Sequence, residues 1–174
     1  MGHRSPSVSE SIRPYRPADW PALWEFLAPV FRAGETYAFP RDLDRDAARR
    51  LWSDPPRRAF VAEDSATGEL LGTYYLQPNH LGPGAHVCNC GYIVSTAARG
   101  RGVASRLCQH SQEEAIRQGF RAMQFNMVAA SNGGAVRLWQ KLGFAIVGTL
   151  PGAFAHPRLG FVDAYVMFKT LGGC

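Results

Sequence analysis

The stretch that most constrains this chain is Val94-Ser-Thr-Ala-Ala-Arg-Gly-Arg-Gly-Val-Ala-Ser-Arg-Leu107. An apolar run ends at Val94, a turn bearing two glycines follows, and a helical pattern begins at once. The first N–H groups of a helix have no partner, and its aligned peptide dipoles add about half a positive charge. Gly100 and Gly102 let the backbone approach a phosphate without a Cβ in the way. Arg99 and Arg101 add side-chain charge at the same mouth. The stretch therefore reads as a phosphate site. Two common phosphate loops do not fit it. A Walker loop ends in Gly-Lys-Ser/Thr, and no lysine stands here. A dinucleotide fingerprint reads G-x-G-x-x-G, and Ser105 occupies the place of its third glycine.

Around this loop the chain alternates strand and helix patterns. Ser11 to Arg16 alternates as a strand; Asp19 offers an N-cap, and Ala22, Leu23, Phe26, Leu27 and Val30 follow at helical spacing. Gly34 to Tyr37 breaks that helix, a shorter one runs near Asp44 to Trp52, and Pro55-Pro56 stops it. Strands are expected at Ala59–Glu63, Leu70–Gln77 and Val87–Val94, then a helix over about Gly102 to Gln118 with Gly119 in the C′ position. Ala122–Ala129 reads as a strand, Asn132–Leu142 as a helix, and Phe144–Leu150 and Phe161–Lys169 as strands separated by a Pro151–Gly160 loop. The order is β-α-α-β-β-β-α-β-α-β-β, which implies an α/β (α+β) domain with a mixed sheet flanked by helices. Residues 1–11 read as a flexible tail and 12–171 as one domain.

Composition narrows the partners. The net charge of +5 comes almost wholly from arginines scattered along the chain, so it suits a solvated surface or a polyanionic small molecule better than nucleic acid. No apolar run approaches the length that spans a bilayer, and residues 1–11 lack the apolar segment of a signal peptide, so a cytoplasmic protein is expected. Cys88, Cys90, Cys108 and Cys174 do not make a disulfide scaffold. Near Cys88 and Cys90 stand His80 and His86, but neither the C-x2-C nor the H-x3-H spacing of zinc sites occurs, and no metal is expected.

Arg99-Gly-Arg-Gly102-Val-Ala104 resembles the Q/R-x-x-G-x-G/A signature of the GCN5-related N-acetyltransferase (GNAT) superfamily. A second block, Asn132-Gly-Gly-Ala135-Val-Arg-Leu138-Trp139-Gln-Lys141-Leu-Gly143-Phe144, resembles that superfamily's N-x-x-A-x-x-L-Y-x-K-x-G-F. The resemblance implies a GNAT fold, with a mostly antiparallel sheet of about seven strands, about four helices and a splay between the fourth and fifth strands. It implies acetyl-CoA as cosubstrate, with its pyrophosphate on the amides from Arg101 through Gly102, Val103 and Ala104 to Ser105. It also implies that Ile93 and Val94 pair with the pantetheine arm, and that Asn132, Ala135 and Trp139 complete the coenzyme site. Trp139 stands where many relatives carry a tyrosine that protonates the leaving thiolate; an indole N–H is no useful acid near neutral pH.

A narrower resemblance, to azetidine-2-carboxylate (proline-analogue) N-acetyltransferases, rests on His86-Val-Cys-Asn89, Met123-Gln-Phe-Asn126-Met-Val128, Arg137-Leu-Trp139 and the run from Ile146 to Met167. It implies that Asn89 and Asn126 contact a small amino-acid acceptor. On chemistry alone, an asparagine between the splayed strands can donate to an oxyanion or orient the acceptor, or can merely satisfy a strand end. Glu35, Tyr37 and His156 are further candidates for acceptor contact, and Glu35, Asp163 and His156 for proton acceptance. Alternative readings are a phosphinothricin-type or general amine acetyltransferase, and a non-catalytic acyl-CoA sensor. The resemblance also implies homodimers paired through the C-terminal strands, although nothing in Phe161 to Leu171 by itself requires them.

Overall fold

The computed structural model describes residues 10–172; the expected tail therefore lies mostly outside the described residues, as does Cys174. Strand β1 (Glu10–Pro14) already includes Glu10 and Ser11. Then come α1 (Trp20–Ala33), α2 (Arg45–Ser53), β2 (Arg58–Asp64), β3 (Leu70–Pro78), β4 (Val87–Val94), α3 (Val103–Arg117), β5 (Ala122–Ala129), α4 (Gly133–Lys141), β6 (Ala145–His156) and β7 (Gly160–Thr170). The seven strands form one sheet in the order β1-β2-β3-β4-β5-β7-β6. Every pairing is antiparallel except β4 with β5. The expected order of elements and the mixed sheet are both present.

Each face of the sheet carries its own core. α1 turns Trp20, Leu23, Leu27 and Phe31 inward to meet Trp52 of α2 and Val61, Tyr75 and Ile93 of the sheet. α3 turns Leu107, Cys108 and Ala115 onto the other face, against Leu71, Tyr74, Cys88, Cys90 and Met123. Cys88 and Cys90, two residues apart on β4, point to that same face and are buried free thiols.

Two local expectations are corrected. Asp19 occupies the position before α1, yet its carboxylate caps no helical N–H; it accepts from the Arg16 N–H at 2.7 Å and pairs with Arg13 at 2.9 Å. The Pro151–Gly160 segment is no loop: β6 continues to His156, and only residues 157–159 turn. Pro151 and Gly152 are tolerated because β6 is the sheet edge and its register shifts between Leu150 and Phe154. The Gly152 N–H freed by that shift donates to Asp163 Oδ1 at 2.9 Å.

On the α3 face, Tyr74 Oη lies 2.9 Å from His110 Nδ1. Burial lowers the His110 pKa below 6.5 and raises that of Tyr74, so a neutral imidazole accepts from the phenol. The folded pKa lies below the unfolded one, so this contribution is present above about pH 6.5 and is lost as pH falls through the folded value. His110→Phe should therefore show a smaller loss of melting temperature than wild type between about pH 7.5 and about pH 5.

Candidate active site

β4 and β5 part almost as soon as they meet. Only Val87–Ala122 and Cys88–Met123 are paired; beyond them the strands diverge around a cavity of about 750 Å³. Register decides what β4 presents there. The Ser95 N–H bonds to Leu71 O, so the hydrogen-bonded pairs with β3 fall on alternate residues back along β4. The N–H and C=O groups of Ile93, Gly91 and Asn89 thus face β3, and those of Val94, Tyr92 and Cys90 face the cleft. Of the expected pair Ile93 and Val94, it is Val94 whose backbone is open to a ligand; Ile93 lines the cavity from its place in the α1-side core. Tyr37 Oη donates to Tyr92 O at 2.8 Å, occupying one cleft carbonyl.

At the wide end of the cleft stands α3. Gly102 precedes it with φ 77°, no side chain caps it, and its first helical hydrogen bond runs from the Arg106 N–H to Gly102 O. The N–H groups of Val103, Ala104 and Ser105 are accordingly left without intrahelical partners. Gly100, at φ 74°, has open space where a Cβ would stand. Arg99, Gly100 and Ala104 line the cavity, and Arg101 is exposed beside them. Across the cleft, Asn132 caps α4 by accepting the Ala135 N–H at 3.4 Å, which leaves its NH2 uncommitted. Asn132, Ala135 and Trp139 line the same cavity, with the indole packed 5.0 Å from Tyr92 and 5.2 Å from Phe125.

At the narrow end a chain of side-chain amides crosses from β3 to β5. Arg57 Nε donates to Gln77 Oε1 at 3.1 Å, and Gln77 Nε2 lies 3.5 Å from Asn89 Oδ1. Asn89 Nδ2 donates to the Gln124 backbone carbonyl at 3.0 Å. An arginine can only donate and a carbonyl can only accept, so the two ends set the orientation of both amides between them. Asn89 is 7% exposed, and its side chain takes over where backbone pairing between β4 and β5 stops. Further along β5, a bulge between Phe125 and Val128 frees Asn126 from pairing with β7. Asn126 Oδ1 accepts from Gln124 Nε2 at 2.9 Å, and its Nδ2 donates to Asn79 Oδ1 at 2.7 Å; its second N–H is spare. Both asparagines line the cavity.

The cavity thus brings together Asn89, Asn126, Tyr37, Arg99, Gly100 and Ala104; Arg101, Gly102, Val103, Ser105, Glu35 and His156 are not among its lining residues. Glu35 pairs with Arg158 at 2.8 Å, and His156 Nδ1 accepts the N–H groups of Arg158 and Leu159 at 3.2 Å each, holding the β6–β7 turn. Asp163 is committed to Gly152. Arg57, Gln77 and Tyr75 belong to the site although no spacing in the sequence marks them. Tyr75 reaches in because Gly91 opposite it has no side chain: a Cβ there would lie 2.6 Å from the Tyr75 ring. No tyrosine here is an acid near neutral pH. Burial pushes Tyr75 up to about 12, and Tyr37 and Tyr92 well above the ordinary 10. Among the described residues, no cluster of His, Cys, Asp or Glu is placed to hold a metal ion, and no helix is long and apolar enough to cross a membrane.

Such a cleft suits a thioester whose diphosphate rests on a helix start and whose arm lies against the open edge of β4; that is the working geometry of an acyltransferase. Residues 20–144 match the model of the Acetyltransferase (GNAT) family, and the chain belongs to that family. It is 39% identical over 115 residues to the N-acetyltransferase aca1 of Schizosaccharomyces pombe, a match that takes in 66% of this chain and 54% of that protein. A GCN5-related N-acetyltransferase from Kribbella flavida is 46% identical and superposes with a TM-score of 0.89, over 96% of this chain and all of that one. The spermidine N-acetyltransferase of Vibrio cholerae, solved with CoA and spermine, shares the fold at 19% identity, with a TM-score of 0.79 over 93% of this chain and 95% of that one.

Proposed function

We propose that the chain transfers the acetyl group of acetyl-CoA to the amine of a small amino acid, with proline analogues such as azetidine-2-carboxylate as candidate acceptors. The observation that carries this reading is the uncapped start of α3, facing a cleft whose β4 edge is unpaired and whose floor is built of amides. The diphosphate would take the N–H groups of Val103 to Ser105, the arm would pair with Val94, and Asn132 would bond an amide of the arm. Amine and thioester then meet between Asn89 and Asn126.

Transfer is direct within the ternary complex. The amine nitrogen attacks the thioester carbonyl; the new N–C bond forms, the C–S bond breaks, and CoA leaves as its thiolate. Among the described residues no carboxylate lines the cavity, whereas Arg57 and Arg99 do. That positive field favours the neutral amine over its ammonium form and lets water carry the proton away. It also favours the departing thiolate, which picks up a proton from water, so an acidic side chain at the Trp139 position is not required. The spare Asn126 N–H and a cleft-facing β4 N–H near Val94, that of Tyr92, would be the donors to the oxyanion.

Asn126→Ala should retain acetyl-CoA binding and lose about 10²-fold in turnover, the scale of one oxyanion donor. The measurement is thioester consumption with azetidine-2-carboxylate, other amino acids and phosphinothricin. Wild-type turnover in the variant would remove Asn126 from catalysis. Acetyl-CoA binding without consumption across the panel would make the chain an acyl-CoA sensor.

A further inference from the structure

Arg57 stands between α2 and β2 with its guanidinium half-buried in the cleft wall, and every partner it has is neutral. Nε donates to Gln77, Nη1 donates to Leu51 O, and the plane lies 4.3 Å over the Tyr75 ring and 5.8 Å from that of Phe39. Among the described residues no carboxylate comes within ion-pairing distance of it, whereas Arg13, also part-buried, is matched by both Asp19 and Glu63. Burial lowers the Arg57 pKa, the mark of a charge that gave up water without receiving an anion in exchange. Its Nη2 is in none of these hydrogen bonds, and the cavity it lines also holds Asn89.

We infer that Arg57 binds the carboxylate of the acceptor, making a free carboxylate beside the amine the recognition element of the substrate class; the inference rests on the acetyl-transfer reading above. Three features converge on it. Arg57 donates through Gln77 to Asn89, so the cation and the amide that would hold the amine end are parts of one network. Two of the aromatic rings that line the cavity, those of Tyr75 and Phe39, already carry a cation in Arg57 itself. Among the described residues the cavity offers a polyamine no acidic side chain, so such acceptors meet a positive field there. An amino acid brings the missing anion, and its ring or short side chain lies against Tyr37 and Phe39, themselves stacked 5.3 Å apart.

The test pairs each acceptor with its carboxamide: azetidine-2-carboxylate and proline against azetidine-2-carboxamide and prolinamide, with spermidine as the cationic control. Wild type should favour the acids by about 10²-fold in kcat/KM, the scale on which a desolvated charge pair discriminates. Arg57→Gln should lose most of that preference, its kcat/KM falling far more on the acids than on the carboxamides; Arg57→Lys should keep part of it. Acetyl-CoA binding and thermal melting, followed in parallel, report whether the variants are intact. Equal losses on acids and carboxamides in Arg57→Gln, or a wild type that prefers carboxamides or spermidine, would overturn the assignment of Arg57 while leaving acetyl transfer standing. A wild type that bound no acetyl-CoA would overturn both.

Discussion

Ala104→Glu should abolish acetyl-CoA binding and leave the protein at least as stable as wild type. Ala104 is the second residue of α3, half-buried at the cavity wall. A carboxylate in the first turn of a helix stabilises it by about 0.3–1 kcal/mol, because it meets the positive end of the dipole and the unpaired N–H groups. Those are the donors assigned to the coenzyme diphosphate, so the same substitution fills the anion site and repels its ligand. Losing the diphosphate contacts and adding like-charge repulsion should raise Kd by about 10³-fold, or about 4 kcal/mol. Calorimetric titration reads the affinity, and a thermal melt reads the stability. The opposite signs distinguish this result from simple misfolding. Wild-type affinity in the variant would move the diphosphate away from α3.

Asn89→Asp should be the most damaging single-atom change in the acceptor half. It replaces the NH2 that donates to Gln124 O at 3.0 Å with an oxygen, at a residue 7% exposed. Two oxygens at that distance without a proton repel, and a buried donor–acceptor bond turned into an unpaired charge costs about 2–3 kcal/mol. In a chain of this size that is about 5–10 °C of melting temperature. Transfer should fall by about 10³-fold, because the bond lost is also the one that defines where β4 and β5 part. The penalty should shrink in acid. The new carboxyl has its folded pKa raised above its unfolded value near 3.9, so the variant matches wild type best below that value and loses ground as pH rises. A melt that is unchanged at neutral pH would show that Asn89 does not pin the splay.

The order of elements along the chain and the open start of α3 were legible because each follows from local chemistry. Val94 to Leu107 spells strand, glycine turn and helix in consecutive residues, and Asn132 caps α4 from its own sequence position. The Pro151–Gly160 segment misled because proline and glycine ordinarily end strands; only the position of β6 at the sheet edge makes them tolerable, and edge position is a property of the assembled sheet. Glu35 and His156 drew attention as chemically able side chains, yet their partners, Arg158 and the turn N–H groups, come from tertiary contact and local turn geometry that no spacing announces. Arg57 was silent for the reverse reason. One arginine among many beside Pro55-Pro56 carries no pattern, and its meaning lies in the absence of a carboxylate around it in space. Asn89 and Asn126 were named through resemblance and chemistry; that β4–β5 pairing stops beside one, and that a bulge releases the other, emerges only from the paired strands.

The most direct test of the account is an amide-resolved NMR titration of the wild-type chain with acetyl-CoA. Saturable displacements should be largest at the N–H groups of Gly102 to Ser105 and at Val94, where the diphosphate and the pantetheine arm are placed. Saturation with those amides unmoved, or no saturable response at all, would contradict it.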